Sequence, residues 1–572
     1  MTASMFPRLH GRGLGLLVAV AACGSVACAA SGGDGGRGRA AGSSGQGGGQ
    51  SSGSGGSGGI GIDIVNIPLP EGTDVASLLP AGLRRLTTAE YGASVRALLD
   101  TEETPEADCA PDARQSGFTT NQAQRVDPVL ARQISDAAKA LAAEFKAKVE
   151  TVAPCAAADE EACARTFIES FGPRVYRRPI DTAEIQSMLG LYRAGAEGAS
   201  YADGIELVVR GMLQSASFLY LTELGGTPAS GVVSLTRSEL ASSLSYLLTE
   251  APPDNALLEA ASAGSLDTPE GREAEVRRLL DGADARRRIV RLISEWLGID
   301  RVDQIAKDTL VYPNFASVRD SMVAENAGFI TEVVWSSQGT VSELLGADWT
   351  VADGELAGHY GVAGTGRVSL AETGRVGILN HAAFLSVYAH ANESAPILRG
   401  VAVLSRVVCV PPPDPAVLQL AVPPVVPDET KTTRARFALH SDAPACANCH
   451  RAIDPFGFAF ELYDGTGKYR TTEEVSGLPV DSSVTLDVGS PFDGSYADSN
   501  ELAAALAASD EARECFARHL FRSVAARSVG VRESEDAFVE AWSELEAGDR
   551  DRVMETLVAY VKSPLFTHRR VP

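Results

Sequence analysis

Three helix-start signals recur along this sequence and constrain its fold more than any other feature. Each is a capping residue followed three positions later by a glutamate, and the pairs are Thr87 with Glu90, Asp181 with Glu184, and Thr236 with Glu239. In such a capping box the two side chains satisfy backbone N–H groups that the start of a helix leaves unpaired. Apolar residues at helical spacing follow each pair, so the sequence predicts helices at these points.

The apolar pattern also predicts how far the helical stretches extend. It indicates continuous helices over 83–99, 205–220 and 272–297. Prolines punctuate 410–427, which predicts an extended connector because proline interrupts both helices and central strands. We expect a mainly α, multi-module helical body with a short irregular or β segment near 475–500.

The N-terminal part of the chain has the pattern of an export signal followed by a flexible tether. A short apolar stretch ends in the tetrapeptide VAAC at 20–23, a pattern typical of a bacterial lipobox. Residues 1–23 are therefore predicted to be a lipoprotein signal peptide, with Cys23 as the lipidated residue; an ordinary cleaved signal is the alternative. Residues 24–80 are rich in Gly and Ser and predict a disordered tether, because such a composition buries too little apolar surface to offset its ordering entropy.

Charge and hydropathy restrict the partners of this chain. Its 74 acidic and 50 basic side chains give a net charge of -24, which excludes nucleic-acid binding because phosphate neutralisation requires a clustered basic surface. No apolar run of about 18 residues, the length needed to span a bilayer, follows the N-terminal segment. We expect an exported lipoprotein, anchored to the membrane through its lipid in the periplasm or at the outer membrane or cell surface.

One motif carries recognisable chemistry, the pentapeptide CANCH at 446–450. Covalent attachment of a c-type haem requires two thiols that bond to its vinyl groups and a neighbouring imidazole that ligates iron. The sequence therefore predicts one covalent haem c, with Cys446 and Cys449 as its anchors and His450 as the proximal iron ligand. Two alternatives are a disulfide between the two cysteines and half of a zinc site. A four-ligand zinc site would require a second cysteine pair, which the sequence lacks.

The distal haem ligand is less well marked than the proximal one. The next Met after the motif is Met554, more than a hundred residues away, whereas His440 lies ten residues before His450. His440 is therefore the first candidate for the distal iron ligand. The further candidates are His381, His390 and His519. Two imidazole ligands would favour electron transfer, and an open sixth position would permit ligand binding or peroxide chemistry.

The other cysteines suit an oxidising compartment. Cys155 and Cys163 are close enough in sequence to close a small loop. Cys409 and Cys515 flank the motif, and we expect them to form the second disulfide.

Taken in order, several short motifs resemble one known group of proteins. They are Arg85-Leu86-Thr87, Tyr176-Arg177-Arg178-Pro179, Leu240 to Leu248 with Trp296-Leu297, Pro396-Ile397-Leu398-Arg399-Gly400, and Ile453-Asp454-Pro455-Phe456-Gly457-Phe458 with Tyr463-Asp464. The chain is identified as a member of the planctomycete and myxobacterial multi-domain envelope proteins, which are built from five consecutive uncharacterised modules. The resemblance implies a cytochrome-c-like haem motif in the fourth module and a cell-envelope role.

The resemblance also implies a division of the chain into modules. They are three helical modules at 81–150, 151–225 and 230–365, a fourth with the CxxCH motif at 370–475, and a C-terminal helical module at 490–568. Some members of the group are labelled as cellulose-binding, which motivates an alternative function for this chain.

Two functional hypotheses follow from these observations. In the first, this cell-envelope lipoprotein binds one c-type haem and transfers electrons to or from a redox partner protein, or belongs to an envelope oxidoreductase system. In the second, it is a polysaccharide-binding or scaffold protein without haem, in which Cys446 and Cys449 form a disulfide.

No carboxylate pair stands out as a hydrolase site, so no catalytic residue is assigned. Arg177 and Arg178 suit an anion site, but a salt-bridged helix junction is favoured.

Overall fold

Helices dominate the part of the chain that the structure describes. The computed structural model describes residues 65, 67–156, 159–413, 417, 428, 430–442, 444–474, 476–527 and 531–571, without the side chains of 439–442 and 445. All three predicted capping boxes are confirmed, because in each the capping side chain accepts from the glutamate N–H and the glutamate accepts from the capping residue. The predicted lipidation site and most of the proline-rich connector lie outside the described residues.

The first part of the chain forms one hydrophobic core closed by a two-stranded sheet. Its elements are β1 (Gly82–Arg85), α1 (Thr88–Leu99), α2 (Pro128–Ala147), α3 (Val149–Val152), α4 (Glu160–Tyr176), α5 (Thr182–Ala196), α6 (Tyr201–Gln214), α7 (Ala216–Leu219) and β2 (Tyr220–Glu223). Strands β1 and β2 pair antiparallel, with Gly82 opposite Glu223 and Arg85 opposite Tyr220. The two ends of this part of the chain therefore lie side by side.

A second, larger core extends from Ile67 to Phe566. Ile67, Leu78 and Leu79 lie within the stretch predicted to be a disordered tether, and that part of the prediction was wrong because their apolar side chains are buried in this core. Its elements up to the motif helix are β3 (Val232–Ser234), α8 (Arg237–Thr249), α9 (Asn255–Ser262), α10 (Pro269–Leu280), α11 (Ala283–Leu297), α12 (Phe315–Thr331), α13 (Val341–Gly346), β4 (Trp349–Ala352), α14 (Gly354–Tyr360), β5 (Gly366–Ser369), α15 (Ala382–Val387), α16 (Pro396–Arg406), α17 (Thr433–Asp442) and α18 (Pro444–Phe458). The remaining elements are β6 (Val484–Leu486), β7 (Gly494–Tyr496), α19 (Ser499–Ala508), α20 (Asp510–Val524), α21 (Arg532–Ser543), α22 (Ala547–Arg550), α23 (Val553–Lys562), α24 (Pro564–Thr567) and β8 (His568–Arg570).

The predicted fold class is confirmed. Within the described ranges every sheet has two strands, and the pairs are β1–β2, β3–β8, β4–β5 and β6–β7, all antiparallel. The β6–β7 hairpin is the short β segment predicted near 475–500. Among the described residues, no helix is both long enough and apolar enough to cross a membrane.

Three predicted helix boundaries were wrong, each because tertiary pairing or capping prevails over a continuous apolar pattern. Residues 82–85 form a strand, because β2 supplies backbone partners there. The helix predicted over 205–220 ends at Gln214, since Ser215 accepts from the N–H of Phe218 and starts a new turn. The helix predicted over 272–297 breaks at Gly282 into α10 and α11.

Among the described residues there are two disulfides, and both were predicted. Cys155 bonds to Cys163, and Cys409 bonds to Cys515. The first pair is separated by 8 positions and the second by 106. The second bridge therefore links the end of α16 to α20 across the whole motif segment.

We expect the Cys409–Cys515 bridge to stabilise the fold more than the Cys155–Cys163 bridge. A disulfide restricts the unfolded chain more when it closes a longer loop. The Cys409→Ala, Cys515→Ala variant should therefore lose about 2 kcal/mol more free energy of unfolding than the Cys155→Ala, Cys163→Ala variant, from the logarithm of the loop lengths. Urea-induced unfolding of both variants and the parent measures this difference. An equal loss in the two variants would contradict the expectation.

A buried polar cluster lies where α12 meets the segment before α15. Glu325 accepts hydrogen bonds from Thr350 Oγ1 at 2.8 Å and from the Tyr360 hydroxyl at 2.8 and 2.9 Å. His381 Nδ1 lies 3.6 Å from Glu325 Oε1, and both residues are fully buried. Burial raises the pKa of Glu325 to about 7. Burial, together with the charge of Arg375, lowers the pKa of His381 to about 3.

This cluster predicts a specific pH dependence of stability. The folded chain holds the Glu325 proton up to about pH 7, whereas an unfolded carboxyl releases it near its usual pKa of 4.5. The free energy of unfolding contributed by Glu325 therefore falls as pH rises through this window. Glu325→Gln removes that fall. Between pH 4.5 and pH 7 the free energy of unfolding of the variant should therefore rise by on the order of 2–3 kcal/mol relative to that of the parent.

The comparison requires urea unfolding of the variant and the parent at both ends of the window. The lowered pKa of His381 makes the free energy of unfolding change with pH in the opposite direction. This contribution is common to both proteins and cancels in the difference. Glu332→Gln, a half-exposed glutamate just beyond the same helix, is the matched control and should show no such gain. A constant difference between Glu325→Gln and the parent across pH would refute this account.

Candidate functional site

The motif helix α18 is held by an unusually close crossing with α16. A Cβ on Gly400 would lie 2.2 Å from the carbonyl oxygen of Ile453, and one on Gly457 would lie 1.9 Å from that of Pro396. Any side chain at either position would therefore force the two helices apart. The two glycines set the position of the helix that carries the CANCH motif.

The end of α18 is anchored by a buried guanidinium. Arg399 is fully buried and donates to the carbonyls of Phe460 at 3.0 Å, Tyr463 at 2.9 Å and Asp464 at 2.6 Å. Its charge is offset by Glu461, whose carboxylate lies 3.7 Å away. The chain that leaves the motif helix is thus tied to the neighbouring α16.

Glu461 and Arg470 form an ion pair behind the motif. Arg470 Nη2 donates to Glu461 Oε2 at 2.9 Å and to the hydroxyl of Ser394. Glu461 is buried rather than solvated at the surface. Asp464 closes the following turn by accepting from the N–H groups of Thr466 and Lys468. These residues therefore build the framework behind the motif.

The three motif side chains lie on one turn of α18 and are partly accessible. Cys446 and Cys449 are free thiols of intermediate burial, so the alternative in which they form a disulfide is not the arrangement observed. His450 Nδ1 lies 2.7 Å from Asp454 Oδ1, one turn further along the helix. An ionised carboxylate can only accept, so this contact places a hydrogen on Nδ1, and in the neutral imidazole the lone pair is then on Nε2.

A cleft of about 520 Å³ lies along the same helix, one turn beyond the motif. His450, Asp454 and Phe458 follow one another at four-residue spacing, which places them on one face. Asp454 and Phe458 line the cleft, opposite the β6–β7 hairpin and beneath Arg434. Arg434 lies 4.7 Å from the centre of the Phe458 ring and donates to two carbonyls of the segment before β6. The volume lies within the range of about 300–1,000 Å³ that small-molecule sites occupy.

The aromatic residues after the motif are core residues. Phe456, Phe458, Phe460 and Tyr463 are almost completely buried. Of the four, Phe458 also lines the cleft. The sequence left open whether these rings form the core or a wall of the site, and burial favours the core.

The structure distinguishes the histidines proposed as distal ligands. The side chain of His440 lies outside the described residues, so its role stays a prediction. His381 belongs to the buried cluster with Glu325, and His390 is exposed on a loop whose carbonyl accepts from Lys307. His519 is buried, with Nε2 3.1 Å from the carbonyl of Ser405. His381 and His519 therefore serve the core.

One group of potential metal ligands occurs among the described residues. Cys409, Cys515 and His519 place their ligand atoms within 4.8 Å of one another. The two sulfurs are bonded to each other, and a disulfide sulfur cannot act as a thiolate ligand. This group is therefore structural.

The arginine pair at 177–178 is a helix junction, as favoured from the sequence. Arg177 is buried and donates to the carbonyls of Val175, Ser217, Phe218 and Tyr220. Arg178 forms a bidentate pair with Glu184 at 2.7 and 2.9 Å.

Three residues that shape the site were not predicted from the sequence. Asp454 precedes a proline, a position that usually ends a helix, but α18 continues through Pro455 to Phe458 and brings Asp454 next to His450. Its four-residue spacing from His450 was the available signal. Gly400 and Gly457 are glycines inside helices, and such positions commonly mark a close backbone approach.

Comparison with known proteins assigns four segments of the chain to families. In chain order they are PSD3 (DUF1587) at 84–146, PSD5 (DUF1595) at 163–223, PSD4 (DUF1592) at 235–362 and PSCyt3 (DUF1588) at 375–473, each described as a protein of unknown function. No curated protein and no solved structure matches the chain. The exact module boundaries and the fifth module at 490–568 stay predictions. The chain therefore carries four consecutive planctomycete-type modules of unknown function.

Proposed function

We propose that this protein is a cell-envelope lipoprotein that binds one c-type haem and takes part in electron transfer. The observation that carries the proposal is the pair of free thiols, Cys446 and Cys449, on the same helical turn as a histidine whose Nδ1 is bound by Asp454. The name of the module at 375–473, PSCyt3, is consistent with a cytochrome-like character. Haem at this site would supply one-electron redox chemistry.

The residues present fit such a group. Each thiol would add its sulfur and its hydrogen across one vinyl group, forming a thioether with no leaving group. Cys446 and Cys449 would in this way fix the ring covalently beside His450. The three side chains already share one helical turn, so binding requires no rearrangement of α18.

His450 and Asp454 would set the electronic character of the iron site. With its Nδ1 hydrogen bound by Asp454, a neutral His450 would offer the Nε2 lone pair to the iron. A carboxylate partner also raises the basicity of a ligating imidazole. The cleft lined by Asp454, Phe458 and Arg434 lies one turn beyond the motif, on the Nδ1 side of His450.

The cellular setting remains part of the proposal. Lipidation at Cys23 would anchor the protein to the periplasmic or outer face of a membrane, with the part of the predicted tether that precedes Ile67 as the connection to the folded body. A redox partner protein would then exchange electrons at the accessible turn around Cys446. His440 is the proposed distal ligand.

Polysaccharide binding is the weaker candidate. Sugar-binding surfaces are expected to expose aromatic rings, and the chain has four tryptophans. Trp296, Trp349 and Trp542 are buried, and Trp335 is half-buried. Haem binding is therefore the function that the site supports better.

We expect the purified full chain, co-expressed with a haem-attachment system, to show a c-type pyridine-haemochrome band. Cys446→Ala, Cys449→Ala removes both anchors and should abolish the covalently retained band. Cys109→Ala removes the other free cysteine that the structure describes and should leave the band unchanged. A parent protein without the band would exclude the proposal.

A second test addresses Asp454. In Asp454→Asn the amide is a weaker acceptor, so the imidazole donates less electron density and the ferric state is less stabilised. We expect the midpoint potential to rise on the order of 60 mV, the equivalent of a tenfold change in relative affinity for the two oxidation states. Spectroelectrochemical titration measures the shift. Asp493→Asn, on the hairpin turn beside the cleft, should leave the potential unchanged; an unchanged potential in Asp454→Asn would contradict the proposed role.

A further inference from the structure

A small enclosed cavity, remote in sequence from the motif, is lined by several arginines. Arg84, Arg288 and Arg527 reach its wall, together with Glu223 and Ser523. Its volume is about 30 Å³. A single water molecule requires about 10–15 Å³ on the same measure, so the cavity has room for two or three waters or one small anion.

Two of these guanidinium groups have a nitrogen without a partner among the described residues. Arg288 donates from Nε to the carbonyl of Leu247 at 3.3 Å and from Nη2 to Ser523 Oγ at 3.2 Å, but its Nη1 has no acceptor. Arg527 donates from Nη2 to Glu223 Oε2 at 2.9 Å, and its Nη1 likewise has no acceptor. Arg288 is 2% exposed and Arg527 is 4% exposed. Both guanidiniums are therefore almost completely buried.

The wall of the cavity carries more basic than acidic groups. Arg84, Arg288 and Arg527 line it, whereas Glu223 is the acidic residue among the lining residues. Arg84 also pairs with Glu90, and Arg288 Nε lies 3.8 Å from Glu250 Oε1. A buried donor without an acceptor is unfavourable, so a wall of this kind favours an anionic guest that accepts from the unpartnered nitrogens.

We propose that this cavity is an anion-binding site that takes one carboxylate-sized anionic group between Arg288 and Arg527. Guanidinium groups recognise carboxylates through directed, charge-assisted hydrogen bonds. The proposal does not depend on haem binding, because none of the residues lies in the motif module.

A larger cleft beside the cavity provides a second source for the anionic group, namely a longer ligand that carries it. This cleft, of about 1100 Å³, shares Gly82, Leu83, Gln122 and Leu221 with the cavity wall. The anionic group would therefore be either a free small ion or the acid group of a longer ligand, such as an acidic sugar, that lies in the cleft. Formate and glucuronate distinguish the two sources, with glucose as the uncharged control.

The test is isothermal titration calorimetry on the full chain at constant ionic strength. Formate and glucuronate should each bind with one-to-one stoichiometry, and glucose should not bind. Arg288→Met and Arg527→Met remove the donors and should weaken binding at least tenfold. Arg287→Met removes a charge at the next position of α11, where Arg287 is exposed and pairs with Asp284, and should bind as the parent does.

Arg288→Lys keeps the charge at the cavity and is the substitution to use if a methionine variant does not fold. It should bind more weakly than the parent because it lacks the second donor. Equal affinity for formate and glucuronate assigns the site to a free ion, and at least tenfold tighter glucuronate assigns it to a ligand in the cleft. Absence of binding to the parent, or unchanged binding in both Arg288 variants, overturns the proposal and leaves a water-filled cavity.

Discussion

Buried guanidinium groups that bond to backbone carbonyls hold the irregular segments of this protein to its helices. Arg399 bonds the segment after the motif helix, Arg375 bonds the carbonyls of Asn380 and Gly467, and Arg177 bonds the turn before β2. Five donors on a planar fork let one side chain satisfy several carbonyls that regular structure leaves unpaired. Removal of any of these arginines would leave buried acceptors unsatisfied, so the architecture depends on them.

The position of the candidate haem site depends on one of these anchors. Arg399 precedes Gly400, so the guanidinium that binds the end of α18 and the glycine that permits its close approach are adjacent in α16. One side of α18 therefore packs against α16. The thiols and the His450–Asp454 pair remain partly accessible, which is what haem attachment and electron exchange require.

Much of the local structure was predictable because its signals are short-range. The capping box at Thr87 and the β6–β7 hairpin each depend on a few neighbouring residues and their backbone groups. Of the boundaries that were wrong, one depends on a distant partner, because β1 is a strand only where β2 lies beside it. The other two follow from the local cap at Ser215 and the break at Gly282. The Asp454 contact was missed because Pro455 suggested the end of a helix, although proline in this position is accommodated in α18.

The sequence by itself determined the chemical identities: two thiols and an imidazole at fixed spacing, the helix starts, and the cysteines available for disulfides. Spacing along one helical turn is a property of the chain, so no tertiary information was needed to place Cys446, Cys449 and His450 together. Only the tertiary structure decided what surrounds them. The crossing of α16 with α18 and the cavity lined by Arg84, Arg288 and Arg527 bring together residues far apart in sequence. Close packing rather than local pattern selects such contacts.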